Sequence, residues 1–298
     1  MVSLSHVNAT QKQRVSDMID SQALQKVFVN SVASFLDEFH VDGIDIDYEF
    51  PSTTQINSFV NFLALLRASL GSKYILTAAV TPDEWRTSVS YDVPGISKSV
   101  DFINLMTYSL SMWPYSTKAL HHCPLYAGSL DTSKWNINHG VNVWLNKGAP
   151  RDKLVVGIPS YGVAYKLADP SSNEIGSLAI GSGLNTVGYE ILCQKVKSGQ
   201  WTEKWVEDQK VPYVFKDSDW VGYDNIRSAV EKANYITEHQ LGGAMFWSID
   251  KDDATNLCGD GKFPLTSNVH HALFEKRLTK EKSSLSKFKS RITLQQVE

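Results

Sequence analysis

The stretch Asp42-Gly43-Ile44-Asp45-Ile46-Asp47-Tyr48-Glu49-Phe50-Pro51 constrains the fold of this chain more than any other. In an extended backbone successive side chains point to opposite faces. Asp45, Asp47 and Glu49 therefore share one face of a strand, and Ile44, Ile46 and Tyr48 share the other. A row of acids spaced about 7 Å apart repels itself, and burial makes the repulsion worse, so such a face does not belong in an ordinary core. Crowded carboxyl groups raise at least one pKa, which is how a carboxyl is kept protonated at neutral pH to act as a general acid. Pro51 closes the run just past Glu49, at the carboxyl end of the strand, where parallel α/β sheets carry their chemistry. A metal site and a solvated edge strand are the competing readings. Apolar Ile44 and Ile46 argue against the edge, and the absence of a nearby histidine argues against a transition metal. Asp42 has the opposite parity and reads as structural.

Around this strand the chain alternates. Strand-like segments at 2–5, 42–48, 74–80, 101–108, 154–160 and 243–249 are separated by helical patterns such as Leu24, Val27, Phe28, Val32, Phe35 and Leu36, or Ile56, Phe59, Val60, Leu63, Leu66 and Leu70. Repeated βα units of this length predict an α/β fold with a parallel sheet wrapped by helices, either a barrel or an open doubly wound sheet. Residues 163–222 break the rhythm: they are rich in Gly, Ser and Tyr, and Val211–Phe215 followed by Trp220–Tyr223 reads as a hairpin. They are expected to form a small α+β insertion before the last helix–strand pair.

At 298 residues the chain is long enough for a large core. No apolar run reaches the roughly 18–20 residues of a membrane-spanning helix, and no membrane association is expected. Residues 276–298 carry seven Lys or Arg against two Glu, while the rest of the chain is acidic with a net charge of −8. The basic tail reads as a disordered terminus, and an acidic body without a basic patch argues against nucleic acid as a partner. The three cysteines do not set a redox compartment by themselves. Met1 leads directly into a strand-like segment, so no signal peptide is read, and Asn8-Ala9-Thr10 is the one glycosylation sequon. His121-His122-Cys123 as a metal site is disfavoured because adjacent ligands rarely converge. Asp250-Lys251-Asp252-Asp253 lacks the spacing and glycine of a calcium loop and reads as a turn after the last strand. No metal and no cofactor are expected.

The pattern D-G-x-D-x-D-x-E over Asp42–Glu49 resembles the signature of glycoside hydrolase family eighteen, the chitinases and chitinase-like lectins, of the animal type with an insertion domain. Ala78-Ala79-Val80, Val100–Tyr108, Pro124-Leu125-Tyr126, Gly157–Gly162 and Gly242–Asp250 resemble further strand motifs of the family, in its order, over roughly residues 1–275. The resemblance implies a TIM-type (β/α)8 barrel formed by residues 1–162 and 223–275, with residues 163–222 as the insertion domain. The family barrel has eight strands and six are legible here. Met1–His6 aligns with the third strand, so the first two βα units are absent from this reading.

The resemblance also implies the chemistry: retaining, substrate-assisted hydrolysis of β-1,4-linked N-acetylglucosamine polymers, chitin or chito-oligosaccharides. Glu49 would be the general acid, Asp47 would orient the substrate acetamido group, Asp45 would modulate Asp47, and Tyr108 would hold the acetamido carbonyl for attack. Sugar faces stack on flat rings, and Trp247 resembles the floor beneath the reacting sugar, with Tyr161 and Met106 as walls and Trp113 as a rim platform. Trp85 and Trp220 read as packing or rim residues. Cys193 and Cys258 fall where the family carries a disulfide, leaving Cys123 free. The expected protein is a monomer, secreted in its parent form. Three departures bear on activity: Ser109 stands where the family places Asp, the glycine-rich third-strand motif is replaced by Ser3-Leu4-Ser5-His6-Val7, and Val163 replaces a frequent Arg. The alternatives are a chito-oligosaccharide-binding lectin without catalysis and an inactive truncated isoform.

Overall fold

The computed structural model describes residues 1–183 and 187–275. The basic segment 276–298, expected to be disordered, lies outside the described residues. Six parallel strands run β1 (Val2–Leu4), β2 (Gly43–Ile46), β3 (Ile75–Val80), β4 (Phe102–Leu105) and β5 (Leu154–Pro159), with the sixth, β12 (Gly243–Trp247), arriving only after a second sheet has been built. Their spatial order is β1-β2-β3-β4-β5-β12. Helices α1 (Ala9–Asp20), α2 (Gln22–Glu38), α3 (Ile56–Leu70), α4 (Glu84–Ser90), α5 (Val93–Ser99) and α6 (Ile137–Asn146) fill the connections. The six strands expected from the alternation are therefore all present.

The parity read from the acidic strand is realised in the packing. Ile44 and Ile46 are buried with Phe59, Phe62 and Leu63 of α3, in a core that also takes in Leu76, Ile103 and Leu105 from the neighbouring strands. Full burial of each such side chain contributes about 1.5–3 kcal/mol, so the apolar face anchors the strand and turns the acids inward. Gly43 is required by close approach: a Cβ there would stand 2.0 Å from the carbonyl oxygen of Ile75 on β3. Strand β2 ends earlier than the run 42–48 suggests. After Asp47 donates its amide to Leu4 O at 2.9 Å, the next inward amide, that of Glu49, turns to Nε2 of His6 at 3.2 Å.

The second sheet is antiparallel and spans Tyr161–Gly222. It is built from β6 (Tyr161–Leu167), β7 (Ala179–Gly181), β8 (Val187–Gly188), β9 (Thr202–Val206), β10 (Val211–Lys216) and β11 (Asp219–Gly222), with α7 (Tyr189–Lys197) between β8 and β9. β10 and β11 form the expected hairpin, with Val214 opposite Val221 and Phe215 opposite Trp220. Helix α8 (Ile226–Glu238), opened by a reciprocal Asn225–Ser228 cap, returns the chain to β12. Cys193 on α7 is disulfide-bonded to Cys258, beyond β12. No helix of the described residues is long and apolar enough to cross a membrane.

Among the described residues the parallel sheet is open: β1 pairs only with β2, and β12 only with β5. Every residue of β5 is buried, whereas Gly243–Phe246 of β12 are half-buried and Trp247 is exposed. A cavity of about 670 Å³ follows the inner face of the sheet, bordered by Ser3, Asp45, Phe102 and Met245.

Candidate active site

The inner face of the sheet orders the acids by depth. Register places Ser3 and Thr77 on either side of Asp45, and both hydroxyls donate to its carboxylate, Ser3 Oγ at 3.1 Å. Asn104, one strand further, adds a third bond from Nδ2 at 3.1 Å. One oxygen of Asp47 accepts from Ser5 Oγ at 2.9 Å, while Oδ1 is buried without a protein partner. Burial, opposed by the Ser5 bond and reinforced by the charges of Glu49 and Asp45, pushes the Asp47 carboxyl up to about 6. Burial raises Glu49 as well, against the pull of Lys12. Asp45 is thus held by three donors, and burial raises both Asp47 and Glu49.

Tyr108 reaches the same cavity from the end of β4, its ring lying against β5. Only a glycine at 157 permits this, since a Cβ there would sit 2.7 Å from Tyr108 Cε1. The Tyr108 hydroxyl is 3.9 Å from Met245 Sδ, and burial raises its pKa. Ser109 follows in the left-handed region, with φ of 54°. Its Oγ is 2.6 Å from the Tyr161 hydroxyl, and its amide donates to Nδ1 of His122 at 3.2 Å. Such a backbone costs on the order of 1–3 kcal/mol and persists only where its surroundings over-determine it.

The two histidines supply those surroundings. His122 accepts through Nδ1, so its Nε2 carries the hydrogen and donates to Tyr161 O at 3.1 Å. His121 likewise accepts from the Cys123 amide at 3.0 Å and donates from Nε2 to Tyr223 O at 2.7 Å. Burial lowers the pKa of both, His121 to about 4, so the stacked rings are neutral. With both nitrogens of each ring occupied, the pair ties the loop after β4 to the start of β6 and to the entry of α8. Below them Cys123 Sγ lies 3.0 Å from Lys232 Nζ, which pairs with Asp224 in a fully buried cluster. Burial lifts the Cys123 thiol to about 12. The sequence offered His121-His122-Cys123 as a run, but not its link to Asp224 and Lys232, which lie about a hundred residues further along the chain.

Asp47, Glu49, Met106, Tyr108, Tyr161 and Trp247 all line one cleft of about 750 Å³. Asp45 lies outside that lining, in the inner cavity that Asp47, Met106, Tyr108 and Trp247 also border. Trp113 does not line the cleft. It is half-buried against the cluster containing Tyr161, Tyr165 and Trp220. Trp135 and Tyr115 line the cleft instead. Trp135 immediately precedes the α6 cap Asn136 in a long loop, and that position was its only signal in the sequence. Cys193, Asp253 and Cys258 come close together, but the thiols form the disulfide and Asp253 accepts the amides of Leu257 and Cys258.

Residues 2–252 match the family described as Glycosyl hydrolases family 18. Chitotriosidase-1 of Mus musculus is 34% identical over 88% of this chain, which spans 60% of that protein's length. A Group IV chitinase of Ostrinia furnacalis, solved in complex with allosamidin, superposes with a TM-score of 0.83 at 33% identity, covering 87% of this chain and 75% of that one. Human YKL-39, described as a pseudo-chitinase with retained chitooligosaccharide binding properties, superposes at 0.84 with 29% identity, covering 91% of this chain and 80% of that one.

Proposed function

Because the chain belongs to glycosyl hydrolase family 18, we propose that it hydrolyses β-1,4-linked N-acetylglucosamine polymers with retention of configuration. Glu49 gives its proton to the glycosidic oxygen as the bond to the anomeric carbon breaks. The substrate's own acetamido oxygen attacks that carbon and forms a cyclic oxazolinium ion. Asp47 accepts the acetamido N–H and stabilises the positive charge, Asp45 modulates Asp47, and Tyr108 donates to the acetamido carbonyl. A water then opens the ring, returning a proton to Glu49. Trp247 is the floor under the reacting sugar, with Tyr161 and Met106 as walls. The observation that carries this reading is the pairing of Asp47, raised to about 6, with a Glu49 also raised, in one aromatic-lined cleft.

In this reading residues 1–162 and 223–275 are the catalytic barrel and the antiparallel unit over 163–222 is its insertion domain. The span between β12 and β1 is where the eight-stranded barrel of the family carries its first two βα units. The protein acts as a monomer on chitin or chito-oligosaccharide outside the cell.

Binding without hydrolysis is the second reading, and Ser109 favours it: the hydroxyl is engaged by Tyr161 and brings no charge to the substrate. Release of fluorophore from a 4-methylumbelliferyl chitobioside, beside Glu49→Gln, separates the two. Turnover lost in the variant supports hydrolysis. Chito-oligosaccharide binding with no turnover in either protein supports the lectin.

A further inference from the structure

Two side chains just past β1 reach the acidic strand from the segment that stands in place of the family's glycine-rich motif. Ser5 Oγ donates to Asp47 Oδ2 at 2.9 Å, and Nε2 of His6 accepts the backbone amide of Glu49 at 3.2 Å. Glycine has no side chain and can make neither bond. The departure from the family pattern therefore adds contacts to two of the acids as well as removing glycines.

The strand pairing shows why the second contact forms. Val2 stands beside Ile44 and Leu4 beside Ile46, and Leu4 O takes the Asp47 amide at 2.9 Å. The pairing stops there, and the amide of Glu49, two residues on, goes to the His6 ring instead of to a strand carbonyl. A backbone donor in a partly buried site needs a partner, and the ring supplies it. His6 is itself held. Its half-buried ring stands edge-on to that of Tyr48, with centroids 6.1 Å apart and planes at 76°. Tyr48 is buried, and its hydroxyl donates to Oε1 of Gln55, the residue that opens α3, at 3.1 Å. The Glu49 backbone is thus tied through His6 and Tyr48 to the entry of a helix.

An imidazole nitrogen that accepts a hydrogen bond carries no proton, so His6 has its hydrogen on Nδ1. The bond reaches the backbone of Glu49 and leaves the carboxyl free to face the cleft, whose lining includes Glu49 but not His6. A general acid has to stand within hydrogen-bond reach of the oxygen it protonates, and a displacement of about 1 Å can cost about 10²-fold in rate.

We propose that His6 is a positioning residue for Glu49, its ring fixing through the backbone amide where the acid stands in the cleft. This inference rests on the proposed hydrolytic function. The test compares the unaltered protein with His6→Ala and with His6→Gln, whose side-chain oxygen can accept in place of Nε2. His6→Ala should lower kcat on a 4-methylumbelliferyl chitobioside by about 10–100-fold and keep KM within about twofold, the pattern of a misplaced acid rather than of lost binding. His6→Gln should restore most of the kcat. Nitrogen-15 NMR should find the His6 hydrogen on Nδ1, and hydrogen exchange at the Glu49 amide should quicken in His6→Ala. An unchanged kcat in His6→Ala, a loss that His6→Gln does not restore, or a hydrogen on Nε2 overturns the positioning role and leaves the hydrolytic reading standing. No turnover in the unaltered protein overturns the hydrolytic reading, and the positioning role with it.

Discussion

Asp47 is the residue whose environment says most about the site. Its carboxyl is buried beside two other acids with one oxygen unpartnered, and its pKa is lifted to about 6. A carboxyl raised above its unfolded value lets the fold keep its full stability below about pH 4 and loses stability as pH rises through about 6. Asp47→Asn should therefore melt at a higher temperature than the unaltered protein at pH 7. The difference should vanish near pH 4, and scanning calorimetry at the two pH values reads both. A gain that persists at pH 4 would show that repacking, not ionisation, is responsible. Glu49→Gln should cut fluorophore release by about 10²–10⁴-fold, the usual contribution of a positioned acid, while oligosaccharide affinity is kept. The acids were legible from the sequence because their chemistry is written within one strand period. Their unequal settings were not, because the donors to Asp45 come from Ser3, Thr77 and Asn104 on three other strands.

Among the elements, α8 does more than cover the sheet. It carries Lys232 into a fully buried pairing with Asp224 at its own entry and with Cys123 below the two histidines. Removing one member leaves a buried uncompensated charge. Lys232→Met should accordingly lower unfolding stability by about 3–5 kcal/mol in urea titration, and the double variant Asp224→Leu/Lys232→Met should lose less than the single one. A double variant worse than the single would assign the cluster a net stabilising role of its own. The six strands and the hairpin could be read from periods of two and 3.6 residues. The loop after β4 could not, since it has no period, and this is why Trp135, which lines the cleft, went unread.

At the scale of the molecule, a disulfide joins the antiparallel unit to the segment that follows the last parallel strand. The Cys193–Cys258 disulfide closes a separation of 65 residues. In the chain-entropy account, closing such a loop removes about 4 kcal/mol worth of freedom from the unfolded chain. Reduction should lower the denaturation midpoint by a corresponding amount, and Cys193→Ser/Cys258→Ser should reproduce the loss without reductant. An unchanged midpoint would mean that packing alone holds the two sheets together.

The sequence by itself determined the parallel βα framework, the inward row of acids and the family, because each is encoded by local periodicity and by motifs within a few residues. The tertiary structure alone decided which carboxyls are raised, which tryptophans face the cleft, and that His121 and His122 tie the loop after β4 to β6 and to the entry of α8. Those outcomes depend on burial and on hydrogen bonds between residues that only the folded chain brings together.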